Sequence, residues 1–273
     1  MALRSSFTDS PDYLQSLDRG LQVVRAFNRD RPRCTLSEIA NQTGLSRAVA
    51  RRSLLTLQHL GYAAAQNRHF FLTPRVLELG YSYLSSLDLT DLAHEPMERL
   101  SQRVGESCSM AVLDGNENVY VARIAVRRLM SVALGVGARL PAFAASMGRV
   151  LLADKSDSEL TSWLREHTFR PITAHTIYKP RALRAEILKV RRQGYAFVSQ
   201  ELELGLCSIA VPIRSATGQA VCGLNVSMRY SDDVRAVALK KMLPALQDAR
   251  QTIERAVARD GWQPLTVSRS AYG

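Results

Sequence analysis

Lysine is almost missing from this chain. Of its 36 basic residues only five are Lys, and none precedes Lys155. Cysteine is as sparse: Cys34, Cys108, Cys207 and Cys222 show no CxxC or zinc-ribbon spacing. The pattern therefore argues against a structural zinc site and for buried thiols in a reducing compartment. The five His are dispersed and suggest no metal cluster. Neither GxGxxG nor GxxxxGK[ST] occurs, so the phosphate-cradling loops of nucleotide-binding enzymes are lacking. No apolar run approaches the roughly 18 residues of a membrane helix. The start, Met1 to Pro11, has no apolar core of the secretory kind. These absences predict a cytoplasmic protein with no membrane partner and no cofactor.

What is present is an ordinary globular composition, 46% hydrophobic and 22% charged over 273 residues. That length corresponds to about two domains of roughly 150 residues. The net charge is +11, which favours polyanionic partners without specifying a fold. Its distribution is more informative. Between Arg31 and Arg75 seven Arg (31, 33, 47, 51, 52, 68, 75) face one acid, Glu38, so the segment carries +6.

The same segment reads as three helices and a hairpin. Leu17, Leu21, Val24 and Phe27 recur at helical spacing over Tyr13 to Asn28, and Arg31-Pro32-Arg33 stops that helix. Thr35-Leu36-Ser37-Glu38 has capping-box form, and Gly44 suits the left-handed position past a helix end. Ser46 caps a third helix, Arg47 to His59. There Ala50, Leu54 and Leu57 form the apolar stripe, while Ala48, Arg51 and Arg52 project elsewhere and Arg47 borders both. Tyr62 to Ala65 and His69 to Leu72 read as short strands around Gln66-Asn67-Arg68. A helical bundle with a solvated basic face would show part of this pattern. Capping box, Gly turn, Arg-bearing third helix and hairpin together favour a DNA-binding winged helix-turn-helix.

Helical period resumes after Thr73 and Pro74 and runs to Leu87–Asp88, with another helix from Leu89 to Val104. Strands are predicted at Ser109–Leu113, Val119–Ala125, Leu129–Leu134, Tyr195–Ser199, Ser208–Ile213 and Val221–Met228. Helices are predicted at Ser146–Ala153, Asp157–His167 and Arg181–Gln193, with a long one from Ser231 to Arg259 breaking at Pro244. The fold class is α+β. A winged helix-turn-helix domain occupies 1–73, a linker helix 74–88, a second domain with an antiparallel sheet flanked by helices 89–262, and a tail 263–273. Catalysis finds little support. Ser146-Met147-Gly148 lacks the flanking Gly of a nucleophile elbow. Glu201 and Glu203 read as a solvated strand edge, and Cys207-Ser208 as core or pocket wall.

These motifs resemble the IclR family of bacterial transcriptional regulators along nearly the full chain. The resemblance is carried by Leu36-Ser37-Glu38-Ile39-Ala40, Thr43-Gly44-Leu45-Ser46-Arg47 and Leu54-Leu55-Thr56-Leu57 before Gly61-Tyr62. In the second domain it is carried by the Ser146–Ala153 helix, Gly194-Tyr195 and Gly205 to Pro212. Arg47 to Arg52 and Gln200 to Leu206 look most like the PcaR, PcaU and PobR branch, which regulates protocatechuate, 4-hydroxybenzoate and β-ketoadipate-pathway genes. Cys207 departs from that branch, where Arg is usual, and Ser208 from the many members with Cys. Such an Arg would either meet the ligand or point outward on its strand.

The resemblance implies a GAF/PAS-like effector domain, a homodimer or dimer of dimers, and double-stranded operator DNA, a small organic-acid effector and RNA polymerase as partners. The implied function is control of a catabolic operon for aromatic acids. The alternative is a regulator answering a non-aromatic metabolite such as glyoxylate or pyruvate. An architectural DNA-binding protein and an enzyme with a fused basic domain are the rival classes. On the DNA side, Ser46 to Arg52 would enter the major groove, with Arg47 and Arg51 on base edges. Arg52 would face a phosphate or serve within the domain. Thr35, Arg33 and Arg68 are candidate backbone contacts, Arg68 reaching phosphate or minor groove from the wing. The effector would lie between Ser146, Met147 and Gly148 and the strands around Ser208 and Asn225, its carboxylate near Ser146 and the first helix amides.

Overall fold

A computed structural model describes residues 7–84, 88–126 and 135–259. The expected strand at Leu129–Leu134 and the tail 263–273 lie outside the described residues. The chain divides into two compact units, 1–85 and 86–273.

The first unit opens with α1 (Gln15–Arg25), then β1 (Cys34–Thr35), α2 (Leu36–Thr43) and α3 (Arg47–His59). A hairpin follows, β2 (Ala63–Gln66) and β3 (His69–Leu72), and after a 3-10 turn at Pro74–Val76 comes α4 (Leu77–Leu84). Local chemistry sets the helix boundaries. Thr35 Oγ1 accepts from Glu38 N at 3.3 Å while Glu38 Oε2 accepts from Thr35 N at 2.7 Å, a closed capping box. Gly44 ends α2 with φ +69, and Ser46 Oγ accepts from Val49 N at 3.3 Å to start α3. Val23, Ala26, Cys34, Ile39, Ala40, Ala50 and Leu54 make the core.

Helical spacing of Leu17 and Leu21 marks a face that the domain does not bury: with Leu14 they are exposed, and α1 buries Val23 instead. One expectation fails here. Gln66 belongs to the strand rather than the turn, pairing with His69, and β1 adds a third strand to the wing in the order β1-β3-β2.

The second unit contains α5 (Asp88–Val104), β4 (Cys108–Asp114), β5 (Glu117–Ile124), β6 (Arg139–Pro141), α6 (Ser146–Leu152), α7 (Asp157–Glu166) and α8 (Pro180–Gln193). It continues with β7 (Ala196–Ser199), β8 (Leu206–Arg214), β9 (Ala220–Arg229), a short α9 (Val234–Val237) and α10 (Leu243–Arg259). Six antiparallel strands run in the order β6-β5-β4-β9-β8-β7. One layer is α5 packed with α10 against β4, β5, β8 and β9, and α6 lies along β8, β9 and β4. A cluster including Met147, Leu151, Leu160, Trp163, Leu183 and Ile187 joins α6, α7 and α8.

The break in the last helix precedes Pro244 instead of falling on it. A π turn spans Ala238–Met242, and Pro244 is the second residue of α10. Proline has no N–H and crowds the carbonyl four residues back, so the wider turn before it absorbs the conflict. Glu201 and Glu203 also depart from expectation. They sit in the connection between β7 and β8, not on a strand, and Glu201 is buried.

Candidate DNA-binding surface and effector cavity

Helix α3 presents Arg47, Arg51 and Arg52 to solvent, with Ala50 and Leu54 buried behind them. None of the three guanidiniums has a side-chain hydrogen bond or ion pair among the described residues, so all are free for an external anion. Ser46 keeps its hydroxyl proton available after capping. At the wing tip Asn67 and Arg68 both hold positive φ, +48° and +67°. Such a hairpin turn favours Asn followed by Gly. Here the second place is an exposed Arg, and its strain costs roughly 1 kcal/mol.

Two other predicted contacts are already engaged. Arg33 donates to Gln66 Oε1 at 3.2 Å and stacks over Phe71 at 5.0 Å, bracing the wing. The Thr35 hydroxyl donates to Glu38 Oε2 at 2.9 Å, and that bond with the amide's holds the Glu38 carboxyl below the usual carboxylate range.

The second unit contains a cavity of about 420 Å³, inside the range typical of small-molecule sites. Strand register gives it a polar floor. Ser208 on β8 stands opposite Ser227 on β9, Asn225 on β9 opposite Ser109 on β4, and Ser109 opposite Arg123 on β5. Arg123 Nη1 donates to Ser109 Oγ at 3.1 Å. Asn225 Nδ2 donates to Ser227 Oγ at 3.4 Å, whereas Asn225 Oδ1 is buried with no hydrogen-bond partner among the described residues. Across the cavity Ser208 Oγ donates to Ser146 Oγ at 2.9 Å.

Helix α6 supplies the other wall through Ser146 and Met147, and two glycines bring it close. A Cβ on Gly148 would lie 2.2 Å from Ala142 O, and one on Gly223 would lie 2.9 Å from Met147 Cβ. Ser146, Met147, Ser208 and Asn225 line the cavity, whereas Gly148 does not; it faces the Ala142 backbone. Cys207 also points away, its buried Sγ 3.2 Å from Ser199 Oγ. Alternation along β8 separates it from Ser208.

Tyr120, Arg123, Arg229 and the Leu202–Leu206 segment also line the cavity, and sequence reasoning missed them. Tyr120 and Arg123 are an odd number of residues apart, so strict alternation would put them on opposite faces. A bulge breaks the alternation: Tyr120 pairs with Ala111 and Ala122 with Met110, leaving Val121 extra. Burial pushes the Tyr120 phenol up to about 12, so it stays protonated at neutral pH. Among the described residues, no cluster of His, Cys, Asp or Glu could hold a metal ion, and no helix is long and apolar enough to cross a membrane.

Both halves match known family models. Residues 16–66 match the IclR helix-turn-helix domain and residues 81–255 the bacterial transcriptional regulator IclR C-terminal domain. The chain belongs to the IclR family of DNA-binding transcriptional regulators. IclR-type regulators are not enzymes. The chain is 43% identical over 249 residues to the Pca regulon regulatory protein of Pseudomonas putida, covering 91% of this chain and 86% of that one. It is 33% identical over 251 residues to the p-hydroxybenzoate hydroxylase transcriptional activator of Acinetobacter baylyi, covering 90% and 93%. An IclR homologue from Microbacterium hydrocarbonoxydans, solved in complex with 4-hydroxybenzoate, superposes with a TM-score of 0.78 at 28% identity, covering 89% and 99%.

Proposed function

We propose that this IclR-family regulator controls an operon for aromatic-acid catabolism and that an aromatic or related organic acid in the β-sheet cavity is its effector. The observation that carries the reading is the cavity's chemistry. Ser146, Ser208, Ser227 and Asn225 Oδ1, which has no partner among the described residues, form a polar floor, Arg123 and Arg229 bring cations, and Leu140, Leu202 and Met147 supply apolar wall. That combination fits a flat ring bearing a carboxylate and a hydroxyl. The relatives named for Pca and p-hydroxybenzoate regulation, and the homologue holding 4-hydroxybenzoate, support the same class.

On the DNA side, Ser46, Arg47 and Arg51 enter the major groove, Arg47 and Arg51 read base edges, and Arg52 and Arg68 engage the backbone or adjacent minor groove. Arg33 and Thr35 act mainly through the wing and the α2 cap that they hold. The working unit is a homodimer, able to pair into a dimer of dimers and to contact RNA polymerase. Leu14 just before α1 and Leu17 and Leu21 on it are exposed, and α4 buries none of its residues, so the first unit alone leaves apolar surface uncovered. Two modules would bind half-sites about one helical turn, or a multiple of it, apart. The effector acts by binding two arrangements of the dimer with different affinity.

A thermal-shift panel tests this, with protocatechuate, 4-hydroxybenzoate, β-ketoadipate, muconate, glyoxylate and pyruvate. A ligand at about 100 times its dissociation constant stabilises by roughly 2.7 kcal/mol, a shift of several degrees. A shift with one of the first three supports the assignment. A shift with glyoxylate or pyruvate alone selects a non-aromatic effector, and none at all overturns the assignment.

A further inference from the structure

The cavity wall at Leu202–Leu206 belongs largely to the connection between β7 and β8. The neck of that connection is closed by Gln200 N donating to Leu206 O at 2.7 Å and Gly205 N donating to Gln200 Oε1 at 3.0 Å. Gln200 holds φ +59, a left-handed conformation that a non-glycine residue adopts only under constraint. Just past the neck, Glu201 turns inward and meets Arg149 of α6. Arg149 Nη1 donates to Glu201 Oε1 at 2.7 Å and Nη2 to Oε2 at 2.6 Å, with the two side chains only 1% and 5% exposed. Arg149 Nε also donates to Phe143 O at 2.8 Å, and Glu201 Oε2 also accepts from Ile177 N at 2.8 Å. Thr176 Oγ1 donates to Glu201 O at 2.7 Å and Thr173 Oγ1 to Gln200 O at 2.6 Å.

Neither Arg149 nor Glu201 lines the cavity. Each is tied to a wall of it. Arg149 lies about one turn beyond Ser146 on α6, and Glu201 immediately precedes Leu202. Stability alone does not account for the pair, because well-packed apolar residues of similar volume hold a core as well or better. A bidentate guanidinium–carboxylate fork adds fixed distance and orientation, which apolar contacts lack.

We infer that Arg149 and Glu201 are positioning residues for the effector cavity, a buried clamp that sets the separation between the α6 wall and the Leu202–Leu206 wall. This deepens the effector reading and rests on it. Without the clamp the wall segment is free to shift, and the cavity loses both affinity and discrimination.

Two full-length variants test the clamp, Glu201→Gln and the paired apolar replacement Arg149→Met with Glu201→Leu. Amide hydrogen exchange is read without ligand, and 4-hydroxybenzoate is titrated calorimetrically. Glu201→Gln lowers Tm; the paired variant regains only part of that loss, since Phe143 O and Ile177 N lose their side-chain partners, while amides of 202–206 exchange about tenfold faster than wild type in both and those of Ile209–Ile213 stay protected. The paired variant's 4-hydroxybenzoate affinity remains about tenfold below wild type. Wild-type exchange and affinity in the paired variant would reduce the clamp to core filling and overturn the inference, as would acceleration spread equally along β8. If the wild-type chain binds no 4-hydroxybenzoate, that effector assignment fails by itself, and the exchange measurement still decides the clamp.

Discussion

Asn225 and Ser227 sit on the same face of β9, joined by a 3.4 Å bond from Nδ2 to Oγ that leaves Asn225 Oδ1 without a partner among the described residues at 3% residue exposure. A buried acceptor without a donor costs about 1–3 kcal/mol. Its retention in a cavity floor is understandable if a ligand donor, such as a phenolic hydroxyl, completes it. Asn225→Leu removes the orphan and keeps a similar shape. Thermal melts with and without 4-hydroxybenzoate should show the unliganded midpoint unchanged or higher and the ligand-induced shift largely lost. A lower midpoint with an intact shift would mean that Asn225 serves the fold only.

Gly148 makes a sharper steric prediction. The atoms that an added Cβ would meet, Ala142 O at 2.2 Å and Ala142 Cα at 2.4 Å, are backbone and cannot rotate aside. Overpacking of this kind costs about 1–3 kcal/mol or more. Gly148→Ala should therefore lower Tm by several degrees and tilt α6, displacing Ser146 and weakening ligand binding. Gly20 is the control, since beyond the helix's own backbone none of the described residues lies within 4 Å of its added Cβ. Gly20→Ala should gain roughly 0.5–1 kcal/mol through helix propensity and backbone entropy.

The first unit was legible because its determinants are local. Thr35 with Glu38, Gly44 and Ser46 act within one turn of the boundaries they set, and the hairpin turn lies between its own strands. The exposure of Leu17 and Leu21 was not legible, for a physical reason. Helical apolar periodicity marks a face that wants cover, but cannot say whether the cover is the domain's own core. In the cavity, Ser146, Ser208 and Asn225 could be placed through family motifs, whereas Tyr120 and Arg123 depended on a bulge that alternation does not forecast. Arg149 and Glu201 lie 52 positions apart, and each alone looks like an ordinary surface charge. Only the packed fold brings them together.

A second capping box at the start of α7, where Ser156 Oγ accepts from Glu159 N and Glu159 Oε2 accepts from Ser156 N, contributes with the Thr35–Glu38 box to the acid response. Hydrogen bonds from Ser156 hold the Glu159 carboxyl below the usual carboxylate range, and those from Thr35 do the same for Glu38. A carboxyl whose folded pKa is depressed binds fewer protons folded than unfolded, so its contribution is full above the unfolded pKa. It is lost as pH falls through the folded value. Glu38→Gln with Glu159→Gln should lower Tm at neutral pH and make the decline across the acidic range shallower. The wild-type and variant curves should converge at the acid end. Parallel curves at every pH would show that the carboxylate charge adds nothing beyond what the amide supplies.

Arg51 and Arg68 separate base reading from backbone contact. Both are exposed and without side-chain partners among the described residues, but one projects from α3 and the other from a strained wing turn. If Arg51 reads a base, Arg51→Ala costs about 1–3 kcal/mol on the operator and relaxes preference at one base position. Arg68→Ala, removing a phosphate contact, should weaken all sequences about equally and reduce the slope of log K against log salt by about one. Mobility-shift titrations at several salt concentrations, on the operator and on single-base variants, distinguish the two. A uniform loss for Arg51→Ala would move that side chain to the backbone class. A salt response that is flat in the wild type would overturn the model of an arginine face docked on DNA.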